Sequence, residues 1–179
     1  MKLVPLGLPG AWLVEIERIE DERGFFARTF CARELGRHGL DVRLAQTSLS
    51  WNPRRGTLRG LHWQKVPHAE AKLVRCVRGR IYDVLVDVRD HSHTWRQHVA
   101  VELSADERNA VFVPPGVAHG FLTLEDDCEV HYQISEFHEP AAARGARFDD
   151  PAFGIVWPEP VAVVSERDRS WPDFLPPAV

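Results

Sequence analysis

The chain has 179 residues, 44% of them hydrophobic and 27% charged, with a formal net charge of −4. That length suits a single domain with a sizeable core, and the mix is that of an ordinary soluble globular protein. Its basic residues are scattered, which excludes nucleic acid as the main partner, because phosphate tracking needs a concentrated basic face; a small anion needs only a few local arginines.

Met1 to Trp12 contains Pro5 and Pro9 and lacks an apolar core of signal-peptide length. No stretch is long enough to span a membrane, so no membrane partner and a cytoplasmic location are expected. Trp12 to Arg18 alternates as a strand, and Phe25–Phe30 follows as another. Ala32–His38 is the one clearly helical segment, and it is short. Leu44–Trp51, Thr57–Gln64 and Ala71–Val77 read as strands. Ile81 to Arg89 alternates most clearly, with Tyr82, Val84, Val86 and Val88 on one face and Asp83, Leu85, Asp87 and Arg89 on the other. Arg96–Leu103, Ala110–Val113, His119–Leu124 and Cys128–Ile134 bring the expected strands to ten. Turn residues punctuate the gaps, as at Asn52-Pro53, Arg78-Gly79 and Pro114-Pro115-Gly116. From about Trp157 a proline-rich tail is expected to wrap the surface in irregular or short helical form. Short strands without helical alternation predict an all-β sandwich or barrel, one domain over residues 1–179.

The three cysteines, Cys31, Cys76 and Cys128, are widely spaced and form no CxxC pair, so neither a zinc knuckle nor a redox motif is expected. Cys76 and Cys128 lie in apolar runs and read as buried reduced thiols.

Titratable groups on apolar strands need a partner or a job. His62 lies in Arg59-Gly60-Leu61-His62-Trp63-Gln64, and on a strictly alternating strand His62 shares a face with Gly60 and Gln64, opposite Arg59, Leu61 and Trp63. A lone histidine is ordinarily structural, but Gly60 leaves room for a ligand beside it. Lys72 has the parity of Val74 and Cys76, which points its ammonium inward; a lone lysine would otherwise snorkel at the surface. His119 stands in Ala118-His119-Gly120-Phe121, and Tyr132 alternates with Val130 and Ile134. His62, His68, Glu70 and His119 resemble in type the ligands of metal-binding double-stranded β-helices. The second histidine two residues after His62 is missing, and three ligands on one face are needed, so no metal is expected. His91-Ser92-His93 has HxH spacing but reads as a solvated turn.

At these residues the chain resembles the dTDP-4-dehydrorhamnose 3,5-epimerase family of sugar epimerases. The resemblance runs from about Asp21 to Trp171. It rests on Asp21-Glu22-Arg23-Gly24-Phe25-Phe26, Leu58 to Gln64, Lys72-Leu73-Val74 and Asp83-Val84 with Asp87. Further on it includes Pro115-Gly116 with Ala118 to Phe121, Asp149-Asp150-Pro151 with Trp157-Pro158, and Ser165-Glu166-Arg167-Asp168. It implies a double-stranded β-helix, a cupin-type jelly roll with a few short helices. It further implies a homodimer, in which the N-terminal strand can be exchanged, with the substrate inside the barrel and no metal or other cofactor. The substrate class it implies is a nucleotide-diphosphate 4-keto-6-deoxy sugar. By the same resemblance His62 matches the general base, Asp168 the carboxylate that orients it, Tyr132 the general acid and Lys72 the cation near the ketone. Arg23, Arg28, Gln46, Ser48, Arg59, His119, His138 and Arg167 match substrate-binding positions, the arginines suiting a diphosphate.

The chemistry needs such groups. Protons at C3 and C5 of a 4-keto sugar are acidic, and a neutral imidazole can remove one. The enolate needs a cation or donor already in place. Reprotonation from the opposite face inverts the centre and requires a second group across the ring. Several positions depart from the family: Arg28 stands where glutamate is common, His138 where a larger aromatic stacks on thymine, and Ala143 where glutamate is common. Gln46-Thr47-Ser48 replaces Gln-Asp-Asn, and about one extra residue precedes Gly56. The nucleotide therefore stays open among dTDP, CDP, GDP and UDP, with cytosine favoured over thymine because a guanidinium offers only donors. The competing readings are a keto-sugar isomerase, a catalytically silent sugar-binding cupin and a metal-dependent cupin oxygenase.

Overall fold

The computed structural model describes residues 1–41 and 43–175, so the last four residues of the expected tail lie outside it. In chain order the strands are β1 (Lys2–Pro5), β2 (Trp12–Glu15), β3 (Arg18–Asp21), β4 (Gly24–Ala27), β5 (Gln46–Asn52), β6 (Thr57–Gln64) and β7 (Lys72–Arg78). They continue with β8 (Arg80–Asp87), β9 (His98–Ser104), β10 (Ala110–Val113), β11 (Val117–Thr123), β12 (Cys128–Ile134), β13 (Ala143–Gly145) and β14 (Val163–Val164). Two short helices, α1 (Ala32–Arg37) and α2 (Glu166–Arg169), complete the described elements.

Two antiparallel sheets face each other. The first has the order β1-β2-β10-β7-β12-β5, and the second β13-β6-β11-β8-β9 with β14 added parallel to β6. β3 and β4 form a separate hairpin. Strands that cross the middle are apolar on both faces, as in β10 (Ala-Val-Phe-Val), because both faces are covered. The main core fills the space between the sheets with Val74, Cys76, Ile81, Leu85, Val111, Phe121, Cys128 and Val130. Each fully buried side chain of this size contributes ~1.5–3 kcal/mol. A second cluster packs α1, through Leu35, onto the outer face of the first sheet at Val14, Leu73 and Phe112. A third covers the outer face of the second sheet, where Leu61, Val84 and Val86 meet Phe153, Trp157 and Phe174. The alternation of β8 explains this division: Leu85 points to the central core, while Val84 and Val86 point to the outer cluster. Cys76 and Cys128 are buried and unpaired, as expected, and Cys31 is partly exposed.

Three details differ from the sequence expectation. The alternating run from Trp12 ends its strand at Glu15, because its partner β1 runs out at Lys2, opposite Glu15. The short strands β1, β3, β13 and β14 are additional. Most consequential, β6 does not alternate strictly. His119 of β11 pairs with His62, but Phe121 pairs with Arg59, so β6 carries one extra residue there. Arg59 and His62 therefore both face the interior, while Leu61 and Trp63 join the outer cluster.

Gly60 makes the bulge possible. Its φ is +111°, and a Cβ there would sit 2.6 Å from both the Gly120 Cα and the His119 carbonyl oxygen. Gly60→Ala is expected to lose about 2–4 kcal/mol through overpacking and a forced positive φ. Thermal melting should then fall by ~4–16 °C for a domain of this size; an unchanged Tm would show that the bulge does not depend on glycine.

Candidate active site

A cavity of about 630 Å³ opens between the two sheets. The second sheet contributes Arg59 and His62 from β6 and His119 from β11; the first contributes Ser48 and Ser50 from β5, Lys72 from β7 and Tyr132 from β12. The tail closes the remaining side with Ser165, Arg167 and Asp168. A narrower pocket of about 190 Å³ shares His62, Lys72 and Arg167 with it and extends to Gln46, Glu70, His138 and Arg144.

β14 pairs Val163 and Val164 with Thr57 and Leu58, which lays the tail along the start of β6. α2 then begins at Ser165, whose hydroxyl accepts the Asp168 N–H at 3.1 Å and caps the turn. Asp168, 4% exposed, meets His62 Nε2 through Oδ1 at 2.6 Å and accepts the Gly60 N–H through Oδ2 at 3.2 Å. Burial pushes the Asp168 carboxyl up, but the hydrogen bond and charge of His62, with the N–H of Gly60, outweigh it and hold the group below the usual carboxylate range. A depressed carboxyl stabilises the fold above its unfolded value near about 4 and loses that contribution only as pH falls through its lower folded value. The pair is thus intact throughout neutral and mildly acidic conditions. With Nε2 directed at a carboxylate, the tautomer it favours carries its proton there, which leaves Nδ1 as the basic nitrogen.

A second histidine–aspartate pair lies beside the first. His119 Nε2 meets Asp83 Oδ2 at 2.8 Å, and Asp83 is fully buried. Burial raises the Asp83 pKa, against the lowering effect of His119 and Lys72. Lys72 is held by Glu70 Oε1 at 2.9 Å and donates to the His62 carbonyl at 3.4 Å. Its side chain is 12% exposed and that of Glu70 only 6%, so the ammonium is fixed at the cavity wall rather than snorkelling. Arg59 is braced by its Nε donating to Asn52 Oδ1 at 2.7 Å. Tyr132 stands 3.4 Å from the Ser50 hydroxyl and edge-on to His119, ring centroids 6.4 Å apart. Burial, its largest influence, pushes the Tyr132 phenol up to about 12, which keeps its proton in place at working pH.

Of the residues expected from sequence, the structure brings His62, Lys72, Asp168, Tyr132, Ser48, Arg59, His119 and Arg167 to the cavity, and Gln46, His138 and Arg167 to the side pocket. Gln46 Oε1 accepts the His138 N–H at 2.8 Å, so β5 and the loop after β12 hold each other at that pocket. Arg23 and Arg28 are not part of either. Arg23 pairs with Asp21 at the exposed β3–β4 hairpin, and Arg28 pairs with Glu34 at 3.3 Å. Asp83 and Glu70 were not among the expected acid–base set. The signal for Asp83 was present, since it shares a face with Leu85 on the most regular strand. The sequence offers Glu70 only as a metal ligand. Among the described residues no three His, Cys, Asp or Glu side chains converge to hold a metal; His62 and His119 each engage a carboxylate instead.

Two facing sheets of this topology, with histidine–carboxylate pairs lining the space between them, define a cupin-type jelly roll with a candidate acid–base site. A family model described as dTDP-4-dehydrorhamnose 3,5-epimerase matches residues 5–175. The chain is 42% identical over 173 residues to the dTDP-4-dehydrorhamnose 3,5-epimerase of Methanothermobacter thermautotrophicus, covering 95% of this chain and 92% of that protein. The crystal structure of the Elizabethkingia anophelis NUHP1 enzyme of the same name superposes with a TM-score of 0.93 at 37% identity, covering 97% and 96% of the two chains. That of the Bacillus anthracis str. Ames enzyme, with TDP and PPi bound, gives 0.92 at 35% identity, covering 97% and 99%. The chain belongs to the dTDP-4-dehydrorhamnose 3,5-epimerase family and is an enzyme of the isomerase class.

The environment of Tyr132 sets an expectation for optical titration. Of the two tyrosines, Tyr132 should remain phenolic at about pH 11, because burial disfavours its anion. A folded-state pKa raised in this way adds stability that is full below about pH 10 and lost as pH rises towards 12. Tyr132→Phe should remove the late-titrating phenol; a native titration complete near the ordinary tyrosine value would contradict this burial.

Proposed function

We propose that the protein inverts C3, C5 or both in a dTDP-linked 4-keto-6-deoxyhexose by proton transfer through His62 and Tyr132. The observation that carries this reading is the placement of the two groups. His62, oriented by Asp168, stands on the second sheet; Tyr132, kept protonated by burial, stands on the first. A sugar ring between the sheets would have a base on one face and an acid on the other. His62 Nδ1 takes the proton alpha to the ketone, and Asp168 balances the imidazolium. The Lys72 ammonium, placed beforehand by Glu70, stabilises the enolate oxygen. Tyr132 then delivers its proton to the opposite face. Arg59 and Arg167 supply cations for the diphosphate, and Gln46 and His138 suit the nucleoside end. Arg28, bonded to Glu34 outside the cavity, gives no ground for preferring cytosine, and the relatives' dTDP substrates favour thymidine. No described helix is long and apolar enough to cross a membrane. We place the enzyme in the cytoplasm, with which its free thiols agree.

His62→Ala should remain folded and lose exchange of the C3 and C5 protons with heavy water by about 100- to 10,000-fold, as loss of a general base does. Tyr132→Phe should keep exchange but return deuterium with retained configuration. Near-normal exchange in folded His62→Ala would remove the base assignment. Equal loss of exchange and inversion in Tyr132→Phe would give the tyrosine a role in binding instead.

The same reading proposes a homodimer. Arg23 sits on a hairpin that exposes Ile19, Phe25 and Phe26, at 68%, 37% and 69%, and edge strand β5 exposes Leu49 and Trp51. A second copy would cover this surface and let Arg23 reach its neighbour's cavity. Light scattering should give twice the chain mass. Arg23→Ala should raise KM with kcat little changed; a monomer with native activity would refute the pairing.

A further inference from the structure

A 2.6 Å hydrogen bond between His62 and Asp168 tolerates little drift, so the turn that carries Asp168 needs a firm seat. α2 spans only Glu166–Arg169 and cannot hold itself. Its upstream side is pinned by β14 and the Ser165 cap. Its downstream side rests on Trp171, three residues past Asp168. The indole lies against Gly145 of β13 so closely that a Cβ on that glycine would fall 2.2 Å from Cε2, 2.3 Å from Nε1 and 2.6 Å from Cζ2. Gly145 is the residue paired with His62 across β13 and β6. The ring thus occupies the side-chain space beside the catalytic histidine's own register position. The φ of Gly145 lies outside the left-handed region, so its backbone does not require glycine; the indole does. Arg167 stacks on the same ring at 5.7 Å, and beyond it Asp173 pairs with Arg147 at 2.6 Å. The Trp171 N–H is buried without a partner among the described residues, so packing holds the ring.

We propose that Gly145 and Trp171 are positioning residues of the epimerase: their contact sets the seat of α2 and, through it, the Asp168–His62 hydrogen bond. The inference rests on the proposed catalytic role of that pair. A methyl group at position 145 cannot coexist with the rigid indole, which must lift and carry the Asp168 turn with it.

The test is a double-mutant cycle of Gly145→Ala with Asp168→Asn, read as kcat and KM for C3 and C5 proton exchange. Gly145→Ala should lower kcat by about 100-fold, the cost of a ~1 Å misplacement, with any rise in KM reporting on Arg167, which rides on the same turn. In the Asp168→Asn background it should cost nothing further, because its effect passes through Asp168. A merely structural role would subtract the same factor in both backgrounds, and that result overturns the proposal, as does native kcat in folded Gly145→Ala. If Gly145→Ala does not fold, Trp171→Leu enters the same cycle with the same two outcomes. If Asp168→Asn alone leaves exchange intact, the catalytic reading fails instead. The downfield ring N–H resonance of His62 then decides the seat: lost in Gly145→Ala, the anchor holds; retained, it does not.

Discussion

The bulge in β6 is the constraint on which the site depends. Without the bulge between Arg59 and His62, the two side chains, three positions apart on a regular strand, would point to opposite faces of the second sheet. One of them would then be driven into the apolar layer that holds Leu61, Val84 and Phe153. The bulge instead turns both into the cavity, and it does a second thing. It leaves the Gly60 N–H free of the ladder, and that N–H is spent on Asp168 Oδ2. The strand that presents the histidine therefore also holds the carboxylate that orients it. Gly120 across the interface has the same tight constraint, since a Cβ there would meet the Arg59 carbonyl at 2.8 Å. Two glycines facing each other allow one strand to bend where the other must stay close.

The charges around the cavity are arranged so that none is both buried and unbalanced. His62 faces Asp168, His119 faces Asp83, and Lys72 faces Glu70. Buried ions lose hydration worth several kcal/mol each, and the loss is offset only by close, well-directed partners. The pairs do not respond alike. Asp168 has a histidine, a backbone N–H and the Ser165 hydroxyl, and its pKa falls; Asp83 is enclosed with one oxygen unpartnered, and its pKa rises. The first pair suits the proton acceptor proposed for His62. The other suits a fixed dipole that shapes the wall, with Tyr132 packed against its histidine.

The regular parts of this fold are local in origin and legible in the chain. Thr57–Gln64, Ala110–Val113 and Cys128–Ile134 are bounded to the residue by apolar runs and the turn residues that flank them. The inward parity of Lys72 follows from Val74 and Cys76 in the same way. What escaped is non-local. The face of Arg59 depends on a mismatch with β11, about sixty residues away, and alternation within β6 predicts the opposite. β14 is a strand only because β6 is there to pair with it. The salt bridge of Glu70 to Lys72 crosses a turn into a strand, so spacing alone does not reveal it. The placement of Arg23 and Arg28 away from the cavity follows from a hairpin that leaves both sheets. The resemblance to the epimerase family located most of the cavity residues and the carboxylate that partners His62, but gave Asp83 and Glu70 no acid–base role.

The thickness of the barrel supplies the last link between fold and stereochemistry. Two sheets packed face to face stand about 10 Å apart, a spacing set by the side chains between them. Where the filling side chains are Leu85 and Phe121 the gap is a core; where they are His62, Lys72 and Tyr132 it is a slot. A sugar ring held in such a slot would present one face to each wall. On the proposed reading, a base on one wall and an acid on the other would act on opposite faces of the same sugar. Inversion needs that fixity more than it needs strong groups, because an enolate free to tumble would be reprotonated on either side. On that reading the apolar core beneath the cavity would serve the chemistry too, because it holds the two walls apart.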